Sequence, residues 1–332
     1  MAKNRTTLLV AALVLLAQAA VPFVAHALGQ GYYVTFFSRV LILALAAIGL
    51  NLILGFGGLV SMGHALYVGV GVYAVGILSS GWGISNGWLH VGAALMVTAA
   101  MAIPLGLICL RTSGMAFIMI TLAFGQMAYY VAVTLRAYGG DDGKAIPVRS
   151  DFGVLSLADG NVLYAVIYLL LLLTLYAMHC LVRSPFGVVL RGIKLNERRM
   201  AALGYPALRY KLVAYLISAL VCALAGVLLA NLTLYMSPSY VQWQVSGELL
   251  MMIVLGGMGS VIGPLYGALA LLGLEEALVS VHWPLPWGLD SLVSAHPMAV
   301  VGIFIVLVAI LLKAGLHGLL SRRAALPETG DH

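Results

Sequence analysis

Charged side chains are scarce in this chain. Aspartate, glutamate, lysine and arginine together make up 8% of its 332 residues, whereas 63% of the residues are hydrophobic. Soluble domains usually carry roughly 25% charged residues. The scarcity of charge therefore excludes an ordinary soluble protein and predicts a polytopic membrane protein.

Motifs for catalysis and redox chemistry are also missing. No GxxxxGKS/T sequence occurs, which excludes ATP hydrolysis through a P-loop in this chain. The histidines show neither an HExxH motif nor another metal spacing. The three cysteines, Cys109, Cys180 and Cys222, lie in apolar runs without redox spacing, so we expect them to be packing residues. A basic groove with interleaved aromatic side chains, as nucleic-acid binding requires, is absent as well.

Long apolar runs are abundant by contrast. A membrane span needs about 20 apolar residues, and such runs predict an all-α polytopic membrane protein with about ten transmembrane helices in one permease-like domain over residues 1–332. Eight to eleven helices fit the pattern, because broken or re-entrant helices are possible in 247–280 and around Gly55 to Gly63. The predicted spans are 7–27, 35–54, 63–80, 89–109, 115–137, 161–182, 212–233, 247–262, 264–280 and 296–316.

The first apolar run has two interpretations. Lys3 and Arg5 precede it, and the sequence Ala25-His-Ala27 is similar to a signal-peptidase site. The run is rather long for a signal peptide, so we favour an uncleaved first span and keep a cleaved signal peptide as the alternative. Either interpretation puts residue 30 outside the cell membrane.

Basic residues are concentrated in one short segment. Seven of the seventeen lysines and arginines lie between Arg183 and Lys211, and an excess of positive charge marks the cytoplasmic side of a membrane protein. Six predicted spans precede this segment and four follow it. The N-terminus, this segment and the tail 317–332 are therefore all predicted to be cytoplasmic, whereas the loop 138–160, with four aspartates, is predicted to be periplasmic.

The basic segment carries the start and stop residues of two short helices. Ser184 and Pro185 suit a helix start, and apolar residues then recur at helical spacing. Asn196 can cap a second helix over 197–203, and Gly204 suits a left-handed C-terminal position. We therefore predict two short helices along the membrane surface, with a merely structural linker as the alternative from composition alone.

Five ordered blocks of sequence carry a resemblance. They are Gly55–His64, Ile120–Gln126, Gly139–Gly143 with Ile146–Pro147, elements within Ser184–Ser218, and Leu255–Pro264. In order and content they resemble the permeases of ABC importers for branched-chain amino acids, and among these the M-type subunit of the Liv system. The resemblance covers about residues 32 to 316.

The resemblance implies partners and a docking element. It implies a homologous H-type sister permease, two ATPase subunits that use ATP and Mg²⁺, and a periplasmic binding protein, all at the bacterial inner membrane. This chain itself would bind no cofactor and would not be an enzyme. The loop 184–208 would be the coupling element that fits a groove on the ATPase, through Arg191, Lys194, Asn196, Glu197, Arg198, Arg199, Leu203 and Gly204. Small or apolar residues commonly follow the glutamate in this family, so Arg198 and Arg199 are departures from its pattern.

Polar residues inside predicted spans are candidates for the substrate route, because burying them in lipid is costly. Ordinary packing hydrogen bonds remain the alternative explanation for each of them. Two further charged positions are Arg39, which could snorkel near the outer end of its span, and the pair Glu275 and Glu276. The candidates for the route are Asn51, Ser61, His64, Thr121, Gln126 and Glu248.

A stripe of small residues occurs at a spacing of four in the span 212–233. It allows close approach of helices in lipid, and it fits either internal packing or an interface with another subunit. The residues of the stripe are Ala214, Ser218, Cys222, Gly226 and Ala230.

Three classes of function compete. The first is an ABC importer permease for leucine, isoleucine and valine, with urea, amides or aromatic acids as alternative cargoes. The second is an ion-coupled secondary transporter, for which Glu275 could serve but the basic loop would be idle. The third is a membrane enzyme, which requires a nucleophile–base or metal constellation that the sequence does not contain.

Overall fold

The computed structural model describes residues 2–27, 29–153, 157 and 159–280, together with 302, 303, 306, 315, 316 and 318. These residues are mostly helical, as expected for an all-α protein. The α-helices within them are α1 Ala2–Ala27, α2 Tyr32–Asn51, α3 Ala65–Trp82, α4 Gly87–Cys109, α5 Met115–Thr134, α6 Gly160–Arg183, α7 Pro185–Leu195, α8 Glu197–Ala202, α9 Ala207–Thr233, α10 Trp243–Gly256 and α11 Gly263–Ser280.

Seven segments of the described chain are long and apolar enough to cross a membrane. They are Leu9–His26 in α1, the stretch Tyr32–Phe56, and helices α3, α4, α5, α6 and α9. The predicted span 247–262 is wrong in its bounds, because α10 has 14 residues and ends at Gly256. Such a helix is about 21 Å long, too short for a hydrocarbon layer of about 30 Å. The predicted span 296–316 lies largely outside the described residues.

Helix α2 forms the centre of the bundle. It is apolar on all sides and almost entirely buried from Val40 to Asn51, as expected for a helix that packs on every face. It contacts α6, α9, α10 and α11. Helices α4, α5 and α6 instead expose large apolar side chains such as Met96, Met119 and Leu169. Their outer faces therefore suit contact with lipid.

Helices α3 and α9 cross closely because both carry glycine at the contact. A Cβ atom on Gly71 would collide with the carbonyl oxygen of Ala223, and one on Gly226 with that of Val68. The small-residue stripe of α9 faces the inside of the bundle, where Gly226 contacts α3 and the Cys222 thiol donates to Ala46 O of α2 at 3.5 Å. Ala214, Ser218, Cys222 and Ala230 are all buried within the chain. The stripe therefore serves internal packing, and its interpretation as a subunit interface is wrong.

Two helices are interrupted, in the two regions where broken helices were considered. Helix α2 continues as a π-helical turn, Leu52–Phe56, and the chain is not helical again until α3 begins at Ala65. Helices α10 and α11 are separated by residues 257–262. We call residues 52–64 the first break and residues 257–262 the second break.

The basic and acidic loops lie at opposite ends of the bundle. Helix α6 has 24 residues, and it therefore holds the loop before it about 36 Å from the loop after it. The acidic loop is ordered in its described part by a short antiparallel ladder between Lys144–Ala145 and Tyr235–Met236. The amide of Ser150 also donates to the Asn231 side chain at 2.7 Å.

Candidate functional site

Helix α7 is seated on the bundle by an apolar face. Ser184 occupies its N-cap position and Pro185 its first turn, as predicted, although the Ser184 hydroxyl donates to Leu181 O at 2.6 Å and caps no amide. Leu190 is buried in the main core. Val189 and Ile193 bury in a small cluster of their own with Ala207 of α9.

Helix α8 is held by its cap and by one half-buried side chain, Met200, which packs against the Val189–Ile193–Ala207 cluster. The side chain of Asn196 accepts a hydrogen bond from Arg199 N at 2.9 Å, so the predicted cap is confirmed. No residue of α8 is buried, and Met200 alone among its six is half-buried. The exposed residues of and around α8 are Leu195, Arg198, Arg199 and Leu203.

Gly204 ends α8 in a left-handed conformation, with φ +88°. Its amide donates to Ala201 O at 3.0 Å, and the next amide, of Tyr205, donates to Met200 O at 3.1 Å. The predicted left-handed end is therefore confirmed, with the helix ending at Ala202 and not at Leu203. A Cβ on Gly204 would meet nothing within 4 Å, so the backbone conformation alone favours glycine here.

Glu197 forms an ion pair that the sequence did not indicate. Its carboxylate lies 2.6 Å from the ammonium group of Lys211, whose side chain is only 8% exposed, whereas that of Glu197 is 51% exposed. Lys211 belongs to the first turns of α9, so the pair ties the start of α8 to the bundle. The two residues are 14 positions apart, and no local pattern links them.

Two of the expected docking cations contact the chain's own backbone. Lys194 donates to Gly55 O at 2.7 Å, which brings its ammonium group onto the first break. Arg191 donates to Val182 O at 3.2 Å and to Gly187 O at 3.3 Å. Both residues are exposed, as are Arg198, Arg199 and Leu203, but their head groups bond to backbone carbonyls of the chain itself.

Asn51, Ser61 and His64 are buried and bonded inside the protein. Asn51 bridges to the second break through Ser260 O at 2.8 Å. His64 Nδ1 lies 2.8 Å from the Ser61 hydroxyl, and its ring packs edge-on against Tyr67 and Tyr215. These three candidates for the substrate route therefore occupy the packed interior around the first break.

Thr121 and Gln126 lie on α5, and Thr121 faces the first break. The Thr121 hydroxyl accepts from Met62 N at 3.2 Å and donates to Ile118 O at 2.9 Å. Gln126 is half-buried, and its side-chain nitrogen has no hydrogen-bond partner among the described residues. Glu248, the last candidate, is exposed on α10 and interacts electrostatically with Arg39 and Glu275.

A cavity of about 330 Å³ lies between α2, α9 and α11 and brings opposite charges together. Arg39 lines it from α2, and Glu275 and Glu276 line it from α11. The Tyr32 hydroxyl donates to Glu276 at 2.9 Å. The sequence placed these charges in separate spans, and only the packing of the helices brings them to one cavity. Within the described residues, no three histidine, cysteine or acidic side chains are grouped as a metal site would require.

Most of the chain matches one known protein family. The family model described as the permease component of branched-chain amino acid transport systems matches residues 32–313. The chain belongs to this family. The match begins at the first residue of α2, so α1 lies outside it, whereas both breaks and the α7–α8 loop lie within it.

The chain is similar to two permease proteins, LivM and LivH, of the high-affinity branched-chain amino acid transport system. The high-affinity branched-chain amino acid transport system permease protein LivM of Salmonella typhimurium is 28% identical over 262 residues, and LivM of Escherichia coli is equally similar. LivH of Escherichia coli is 25% identical over 254 residues, which cover 72% of this chain and 82% of LivH. The aligned region covers 72% of this chain but only 61% of the length of the LivM relatives. No solved structure matches the chain significantly.

Proposed function

We propose that this protein is the membrane-spanning permease of an ABC importer, and that helix α8 with Leu195 and Leu203 docks on a separate ATPase subunit. Two observations together carry the proposal. The chain belongs to a family of permease components, and its exposed short helix α8 is held by the Asn196 cap and the Glu197–Lys211 pair. The exposed Arg198 and Arg199 add positive charge to the same surface. Because the sequence contains no P-loop, ATP and Mg²⁺ are used by the partner.

The proposed complex contains four kinds of subunit. This chain takes the M-type position beside an H-type sister permease, with two ATPase subunits and a periplasmic binding protein. The somewhat higher identity to LivM, 28% against 25% for LivH, supports the M-type assignment. The basic loop 184–208, both termini and the tail 317–332 face the cytoplasm, and the loop 138–160 faces the periplasm, in keeping with the distribution of positive charge.

The proposed cargo is leucine, isoleucine or valine. A zwitterionic amino acid needs a cation for its carboxylate and an anion for its ammonium group, and the cavity between α2, α9 and α11 supplies Arg39 and Glu275. Its volume of about 330 Å³ is at the lower end of the 300–1,000 Å³ typical of small-molecule sites. Glu248, within electrostatic reach of both charges, is the member of the sequence-derived set that fits this route.

Reconstitution tests the proposed function directly. The complete complex, with its co-encoded ATPases, sister permease and binding protein, is placed in vesicles and uptake of labelled leucine is measured. We expect uptake to require ATP on the ATPase side together with the binding protein, and to persist when the proton gradient is collapsed. Uptake driven by an imposed pH or sodium gradient without ATP would contradict the proposal and favour an ion-coupled transporter.

Orientation is tested in intact cells. A single cysteine is introduced as Asn196→Cys after the three native cysteines have been replaced, and a membrane-impermeant thiol reagent is added from outside. We expect no labelling of this variant, whereas a cysteine in the loop 138–160, such as Asp142→Cys, should react. Labelling of Asn196→Cys would overturn the proposed topology.

A further inference from the structure

The two helix breaks are tied together by one side chain. Asn51, the last residue of α2, is 1% exposed. Its amide donates to Ser260 O at 2.8 Å, and its oxygen accepts from Gly259 N at 3.3 Å. The backbones also touch, because a Cβ on Gly55 would lie 2.6 Å from Gly259 N. The second break is therefore held against the first by the main chain and by Asn51.

The first break is in turn tied to α7. Lys194 donates to Gly55 O at 2.7 Å, and its methylene groups cover Gly58, where a Cβ would lie 2.8 Å from Lys194 Cγ. Carbonyl groups in the last turn of a helix lack partners within the helix, and a cation is favoured there. Gly55 belongs to such a turn, so Lys194 serves as its donor from another element of the fold.

Lys194 connects the docking element to the first break. It lies two residues before Asn196, which caps the exposed helix α8, while Leu190, one turn earlier on α7, is buried in the main core. A load applied to α8 therefore reaches Lys194 through only two residues, Leu195 at the end of α7 and the extended Asn196. The breaks are suited to receive it, since residues 57–64 and 257–262 are not helical and such segments rearrange more readily than helices.

We propose that Lys194 and Asn51 form a mechanical link that makes the two breaks move together with α7. Lys194 positions Gly55 relative to α7, and Asn51 positions Ser260 relative to Gly55. Both are positioning residues that touch neither ATP nor cargo. The inference rests on the proposed coupling role of the α7–α8 loop, and it specifies where within the bundle that coupling is received.

Substitution of Lys194 tests the link in the reconstituted complex. Lys194→Met keeps the length of the side chain and its packing on Gly58 but removes the donor. We expect leucine uptake per ATP hydrolysed to fall at least about tenfold (an apparent coupling loss of about 1.4 kcal/mol), with basal ATP hydrolysis and complex assembly unchanged. Lys194→Arg restores a donor and should recover at least half of the ratio. Arg183→Met, which removes an exposed cation at the same end of the bundle, is the matched control and should leave the ratio unchanged.

A double-substitution cycle tests whether Lys194 and Asn51 act as one unit. Asn51→Leu is nearly isosteric and removes both bonds to the second break. If the two residues form one link, the double variant should lose no more coupling than the more severe single variant. Losses that multiply would overturn the inference, because independent local defects combine in that way.

The remaining outcomes also decide the question. Normal uptake per ATP in Lys194→Met would overturn the link, and so would failure of both Lys194→Met and Asn51→Leu to assemble, since that result assigns the residues a role in folding alone. The wild-type complex distinguishes failure of the proposed function from failure of the link. If it shows no ATP-driven uptake, the proposed function fails, whereas a working wild type with a fully coupled Lys194→Met variant contradicts only the link.

Discussion

Helices α7 and α8 follow one another in the same basic loop but are held in opposite ways. Helix α7 buries Val189, Leu190 and Ile193 against the bundle. Helix α8 has no fully buried residue and depends on a cap, one ion pair, a left-handed glycine and the half-buried Met200, which packs against the Val189–Ile193–Ala207 cluster. The difference teaches that positive charge alone does not define a docking surface. Helix α7 packs firmly on the bundle, and α8 presents the exposed surface that can bind a partner.

The largest expected loss of stability comes from removing an apolar side chain by which α7 packs on the bundle. Leu190→Ala removes a side chain that is 1% exposed, and such substitutions cost about 2–5 kcal/mol because a cavity remains. Thermal unfolding of the purified protein in detergent measures the loss. Leu195→Ala is the matched control on the same helix, because Leu195 is 86% exposed and its truncation should change the free energy of unfolding by less than about 0.5 kcal/mol. Equal losses in both variants would abolish the distinction between the buried and the exposed face.

A smaller effect is expected where α8 ends. Gly204→Val forces a β-branched residue into a backbone with φ +88°, which costs about 1–3 kcal/mol. We expect the variant to insert in the membrane but to lose transport-linked ATP hydrolysis, whereas Gly204→Asn, which tolerates the left-handed region better, should retain most of it. Wild-type uptake by the valine variant would mean that the loop is only a linker.

The ion pair at the start of α8 should contribute less again. Glu197→Gln removes the partner of Lys211, but Glu197 is half-exposed and solvent screens the interaction, so we expect about 1 kcal/mol or less. Hydrogen exchange of the α8 amides should accelerate while that of α7 stays constant. Arg198→Gln, at the exposed neighbouring position, is the comparison variant. Faster exchange in α7 as well would indicate that the two helices open as one unit.

The smallest effect on stability is expected at the tip of α8. Leu203→Ser alters a side chain that is 66% exposed, so the free energy of unfolding should change by less than about 0.5 kcal/mol. Binding of the ATPase subunit to the reconstituted permease should nevertheless weaken measurably, because an exposed leucine is a natural contact of a docking surface. A destabilised protein that binds the ATPase normally would reverse the roles assigned to the two helices.

Local features of this fold were predictable from sequence because they depend on a few neighbouring residues. Asn196 caps α8 through the amide three positions later, and Gly204 adopts its left-handed angle within a single turn. The spans were predictable to within a few residues for the same reason, since hydropathy over about 20 residues decides which segments enter lipid. The length of α10 was mispredicted because Gly256, Gly257 and Gly259 interrupt a run that remains apolar.

The amino-acid sequence by itself determined that this is a helical membrane protein, where its basic loop forms two short helices, and to which family it belongs. The tertiary structure alone decided what those helices touch. Lys194 and Gly55 are 139 positions apart, and Asn51 and Ser260 are 209 positions apart. The small-residue stripe of α9 likewise became internal packing only through its contacts with α2 and α3. A side chain's distant partner depends on how whole helices pack, and no local propensity specifies that arrangement.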